Sequence, residues 1–160
     1  MISRPFIALS AALLASTLAL QSNKGCSVSA VAKGTFDVKA TPQPAAVGDD
    51  PSFSRMTFDK QFQGDLEGTS RVQMLAAATS IKNSGAYVAL EKVNATLAGR
   101  QGSFVFQHAA TMNRGIPSLS ITVVPDSGTD QLAGLSGKFS IDIKEGKHFY
   151  TFDYSLPSSD

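Results

Sequence analysis

The chain has a single cysteine, Cys26, and no tryptophan. A lone thiol closes no internal disulfide, so packing has to hold the fold. It also leaves no multi-cysteine zinc or redox centre within one chain. The two histidines, His108 and His148, are too few for a multi-histidine metal site. An excess of one charge is missing too: 14 Lys and Arg face 13 Asp and Glu. Such a balance offers nucleic acid no basic field and provides no acidic tail. No Gly-x-Ser-x-Gly elbow, phosphate-cradling glycine loop or basic stripe with interleaved aromatics occurs. These absences point to no cofactor, no metal and no nucleic-acid partner.

The one long apolar run is residues 5–20, PFIALSAALLASTLAL, behind Arg4. A basic start, a short apolar stretch and small residues after it make a secretory signal. The run is too short and too weakly apolar for a membrane span. The sequence therefore predicts a secreted or periplasmic protein, cut between Ala19 and Ala30. Val28-Ser29-Ala30 and Thr17-Leu18-Ala19 are the two candidate cleavage motifs. Gly25 before Cys26 fits a lipoprotein signal, but Asn23 and Lys24 do not. Residues 1–30 are thus read as signal peptide and leader, and 31–160 as one domain.

From Lys33 on, β-branched and aromatic residues alternate with polar ones, and Gly, Asn, Asp and Pro interrupt at short intervals. That is the pattern of antiparallel strands. Eight are predicted: 34–40, 53–63, 66–81, 86–97, 103–112, 119–124, 138–144 and 148–156. The stretch 72–81 is rich in alanine but uncapped and sits among strand-like text, so it is read as strand. The loop from Thr41 to Pro51 carries three prolines, Gly99–Gly102 and Asn113–Gly115 turn the chain, and Glu145-Gly146 suits a tight hairpin. Eight strands in one small domain must hide their edges. Closing them into a barrel does so and leaves room for side chains or one small ligand. The fold class is all-β, a closed antiparallel eight-stranded barrel, with a sandwich as the alternative.

Alternation sorts each strand into two faces. Phe36 and Val38 share one, as do Met56, Phe58, Lys60 and Phe62. Tyr87, Ala89, Glu91 and Val93 fall together, and so do Phe104, Phe106, His108, Ala110 and Met112. His148, Tyr150, Phe152 and Tyr154 complete the aromatic faces. Burying one large apolar side chain contributes roughly 1.5–3 kcal/mol, so these faces are the interior. Lys60, Glu91 and His108 are the exceptions in phase with it. A register slip of one residue would put Glu91 in solvent. Glu67 shares a phase with Thr69, Arg71 and Gln73 and is sent outward unless that strand bulges.

GTFDVKATPQP, RMTFDKQFQGDLEGTS, SGAYVALEKVNATLAGRQGSFVFQH, SITVVPDSGTDQLAGLSGKFSIDI and GKHFYTFDYSLP resemble the bacterial DUF3224 family over about residues 33–157. The resemblance implies a barrel similar to that of allene oxide cyclase. It implies no activity and transfers no catalytic residue. The leader is a departure from what the resemblance leads one to expect.

Three functions fit these residues. The first is a barrel enclosing a small apolar molecule, contacted by Lys60, Tyr87, Phe58, Phe104, Phe106 and Tyr150. The second is an isomerase or cyclase with Glu91 and His108 as catalytic groups. Burial would raise the carboxyl pKa toward neutrality, His108 would shuttle a proton, and Tyr87 would donate to an oxyanion. The third is a filled, structural barrel that forms a homo-oligomer through Val88, Leu90 and Val105. The bland alternative for the polar trio is an ion pair between Lys60 and Glu91 with a satisfied His108. Asp126–Asp130 is read as a turn rather than a calcium loop, and the Asn94-Ala95-Thr96 sequon as chance. A cavity of several hundred Å3 would favour the first two functions, and a solid core the third.

Overall fold

The computed structural model of the chain describes residues 27–45, 48 and 50–158. The apolar run at 5–20 and Cys26 lie outside the described residues. Eight antiparallel strands close into a barrel in simple sequence order. They are β1 (Ser27–Gln43), β2 (Phe53–Gly64), β3 (Leu66–Ala78), β4 (Gly85–Leu97), β5 (Arg100–Asn113), β6 (Ile116–Val123), β7 (Ser136–Lys144) and β8 (Lys147–Pro157). Among the described residues no helix is long and apolar enough to cross a membrane.

The strand order agrees with the reading from alternation, and the boundaries correct it. β1 begins at Ser27, inside the segment assigned to the leader. Its first part pairs with β8, from Ser27 opposite Pro157 to Phe36 opposite His148. Its second part pairs with β2, from Gly34 to Gln43. One strand thus closes the cylinder by passing from one neighbour to the other. That need for closure, invisible in a single strand's pattern, recruits Ser27–Lys33. It also keeps Thr41–Gln43 in the sheet despite Pro42.

The β4–β5 and β5–β6 hairpins are tighter than the sequence suggested, and Glu145-Gly146 is the tight turn expected of it. Ala98-Gly99, Arg114-Gly115 and Glu145-Gly146 each have positive φ at both positions. This backbone twist matches that of the flanking strands and permits two-residue connections. Arg100–Gly102, read as part of a turn, therefore belongs to β5, and Ile116–Ser118 to β6. β3 stops at Ala78, and Thr79–Ser84 make the turn.

Hydrophobic packing is densest in one half of the cylinder. Phe62, Leu66, Val93, Leu97, Phe104, Phe106, Phe139, Tyr150, Phe152 and Leu156 form a continuous buried cluster. Rings interlock edge-on and stacked, as in Phe104 with Phe106 and Phe139 with Tyr150. The loop after β6 caps this end. Leu132 and Leu135 plug it, while Thr129 and Ser127 hydrogen-bond to the backbone of Ser103 and Val105 on β5. Asp126–Asp130, the acidic loop of the sequence, is the turn that carries these two hydroxyls.

Tyr150 latches the same half. Its hydroxyl accepts a hydrogen bond from the Leu66 amide at 2.9 Å and lies 3.3 and 3.2 Å from the Gln63 and Leu66 carbonyls. Gly34 makes room for it. A Cβ at that position would run into the Gln63 carbonyl and the Tyr150 ring.

Candidate binding cavity

Four adjacent strands each send one polar side chain inward at the same level. Lys60 on β2 lies opposite Ser70 on β3. Glu91 on β4 lies opposite Val72 on one side and Phe106 on the other. His108 on β5 is the diagonal neighbour of Glu91, because its direct partner is Ala89. Glu91 is 1% exposed, which settles its register, and Glu67 faces solvent as its phase predicted.

Glu91 is the hub. Its Oε2 accepts from Lys60 Nζ at 2.8 Å and from His108 Nε2 at 2.8 Å. Its Oε1 accepts from Ser70 Oγ at 2.5 Å. Ser70 was not singled out in the sequence, although the outward phase of Thr69 and Arg71 already placed it inside. Lys60 Nζ also lies 4.9 Å from the centre of the Phe36 ring and 5.8 Å from that of Phe62. Among the described residues no buried side-chain polar atom lacks a hydrogen bond.

This network reverses the electrostatic expectation for Glu91. Burial does push its pKa up. The hydrogen bond from His108, the charge and hydrogen bond of Lys60 and the bond from Ser70 together outweigh it. The carboxyl is held below its ordinary value of 4.5. Glu91 is thus a fixed carboxylate, not a base poised near neutrality. Tyr87 moves the other way. Burial, then the Glu91 charge, raises its pKa above 10.0 and keeps it a neutral donor.

Above the network the barrel is open. A cavity of about 290 Å3 is lined by Phe36, Phe58, Lys60, Val72, Met74, Tyr87, Ala89, His108, Ile141 and His148. Val38, Leu119 and Ile143 form its rim. Glu91 is behind the wall; Lys60 and His108 are the groups presented to the space. His108 spends Nε2 on Glu91, and no hydrogen bond engages Nδ1 among the described residues. In the neutral ring, donation from Nε2–H to a carboxylate leaves Nδ1 as an acceptor.

Of the residues singled out in the sequence, Glu91, His108 and Lys60 come together, and Tyr87 and Phe58 line the same cavity. Phe104, Phe106 and Tyr150 do not. Both phenylalanines are fully buried in the filled half, and the Tyr150 hydroxyl is engaged by backbone. Val72, Met74 and His148 line the cavity although none was singled out. On the outer wall, Val88 and Leu90 are exposed, whereas Val105 is partly covered by the loop carrying Ser127.

A closed antiparallel barrel, filled at one end and hollow at the other, with a buried carboxylate network between, defines the class of protein. The chain belongs to the DUF3224 family: the family model, described as a protein of unknown function, matches residues 32–154. A crystal structure of a DUF3224 protein of unknown function from Shewanella oneidensis MR-1 is similar, with 42% identity and a TM-score of 0.75. The match covers 82% of this chain and 100% of that one. No curated protein matches.

Proposed function

We propose that the hollow half of the barrel binds a small, mainly apolar molecule carrying one neutral hydrogen-bond acceptor of the carbonyl kind. The supporting observation is the cavity of about 290 Å3, apolar except for Lys60, Tyr87 and the two histidines. Enclosed, mostly apolar space with a few converging polar groups is the usual form of a ligand site. Glu91 balances the charge of Lys60, so the floor favours an uncharged acceptor over an anion. Hexan-2-one is a suitable probe, followed by ligand-observed NMR. Saturable binding is expected, with loss in Ala89→Leu, which fills the cavity. Equal binding by Ala89→Leu would rule out this site. Native mass spectrometry after incubation with a metabolite extract would then identify a natural ligand.

A second reading, an isomerase or cyclase, draws on the free Nδ1 of His108. Here His108 takes a proton next to the ligand carbonyl, Lys60 donates to the oxygen, and Glu91 is a positioning residue. The proton returns at another carbon, so no co-reactant is needed. Wild type should convert a compound in the extract, and His108→Ala should not. A compound retained unchanged by wild type would leave binding alone.

We infer too that the leader directs export, with the cut ahead of Ser27. A cut after Ala30 would remove the residues of β1 that pair with Tyr154–Pro157. N-terminal sequencing of protein recovered outside the cytoplasm tests both points. A chain beginning at Val31 would overturn the position, and cytoplasmic retention would overturn export. Self-association through Val88 and Leu90 stands as a further proposal, tested by sedimentation of the Val88→Lys/Leu90→Lys variant against wild type.

A further inference from the structure

The wall of the barrel is not equally sealed all round. β5 and β6 pair along the whole of β6, and β7 and β8 along the whole of β7. Between β6 and β7 the ladder consists of one pair, Thr122 with Lys138. That pair sits toward the filled end, level with Val123 and Phe139. Toward the open end, residues 116–121 and 139–144 are not paired with each other. The inward-phase residues flanking this gap are apolar: Leu119 on β6, Ile141 and Ile143 on β7. Leu119 is 44% and Ile143 61% exposed, although their neighbours in phase, Ile121 and Phe139, are buried. All three flanking residues also line the cavity. The cavity therefore continues sideways into an apolar slot.

Volume gives the slot a purpose. About 290 Å3 corresponds to roughly ten water volumes, space for about ten heavy atoms. A longer ligand extends out of the cavity, and the gap between β6 and β7 offers it an apolar wall of Leu119, Ile141 and Ile143. A slot walled by single rows of aliphatic side chains suits an unbranched chain and not a fused ring.

We propose that the gap between β6 and β7 is the second half of the binding site, and that the ligand is an unbranched aliphatic carbonyl compound. Its carbonyl lies at Lys60 and His108, and its chain runs out past Ile141, Leu119 and Ile143. This rests on the binding function proposed above and specifies its ligand class.

The test is a series of methyl ketones from hexanone to dodecanone, titrated calorimetrically into the full domain. Affinity should rise roughly fourfold per added methylene that is buried, and go on rising beyond ten heavy atoms. Oxidised Ser120→Cys/Ser140→Cys, made in a Cys26→Ser background, zips the gap and should hold affinity flat beyond that length. Leu119→Asp, at an exposed position that tolerates change, should do the same without a crosslink. Continued rise in both variants would overturn the proposal, as would a plateau at ten atoms in wild type. In either case hexanone binding would survive and the cavity reading with it. Absence of binding by every ketone would overturn both.

Discussion

The two ends of this barrel are made by the same alternation of residues and finish in opposite states. Toward the β2–β3 and β4–β5 hairpins, the inward positions carry Phe62, Phe104, Phe106, Phe139 and Phe152, and the loop with Leu132 closes over them. Toward the β3–β4 and β7–β8 hairpins, the inward positions carry Met74, Tyr87, Ala89 and Leu119, and among the described residues nothing closes over them. Rings meet one another across the first half, whereas in the second Phe36, Phe58, Tyr87 and His148 line a wall shared with Met74 and Ala89 and leave a space between them. The cap adds to the difference, because the β6–β7 loop is long enough to fold inward and the two-residue hairpins of the open end, Arg114-Gly115 and Glu145-Gly146, are not. Stability should accordingly reside in one half and recognition in the other.

The sharpest way to break that division is to empty the filled half. Phe106→Ala removes a fully buried ring that touches Phe104, Phe139 and Phe152. It should cost about 4 kcal/mol in urea unfolding. Met74→Ala, on the cavity wall, should cost much less, because it enlarges existing space. Equal losses would mean that the two halves form one core.

Glu91, at the boundary, comes next. Glu91→Gln leaves the Lys60 ammonium buried without its counter-charge and should cost about 3 kcal/mol. Lys60→Met with Glu91→Leu should recover most of that, since a buried ion pair contributes little net stability against an apolar one. The same network sets an acid limit. The folded carboxyl has a lower pKa than the unfolded one, so its stabilising contribution is complete above 4.5 and is lost as pH falls below it. Denaturant midpoints measured between neutral pH and pH 3 should fall more steeply for wild type than for the double variant. Parallel curves would remove Glu91 from the acid limit.

Tyr150→Phe probes the latch of the filled end. The Leu66 amide would lose its acceptor, at a cost of about 1–2 kcal/mol. Ketone affinity should not change, because Tyr150 lines no part of the cavity. Lower affinity would show that the halves communicate.

Much of this was legible in the residues. Alternation placed Lys60, Glu91 and His108 inside because a strand has only two faces, and it sent Glu67 out for the same reason. It could not say which inward residues share a level. That depends on the stagger between strands, which puts Glu91 beside His108 and separates both from Phe104. Nor could it give the charge state of Glu91. Burial by itself argues for a raised pKa, and the opposite result comes from three partners on three other strands. The start of β1 was hidden for a related reason: Ser27–Ala30 read as leader, and Val31–Lys33 as chain ahead of the first strand, until β8 is there to pair with them.

The smallest effect on stability should come from Ile143→Ala, and that makes it the most informative about function. Ile143 lies in the inward phase of β7 yet stands exposed at the rim, so truncating it creates no void. Stability should stay within about 0.5 kcal/mol of wild type. Exposed apolar groups at a site entrance are a cost in water that a ligand removes, so affinity for long methyl ketones should drop while that for hexanone holds. A residue in phase with the core but without a share in its stability is what a half-filled barrel should contain. Loss of stability on the scale of Phe106→Ala would instead extend the core to the rim and leave the hollow half without a separate role.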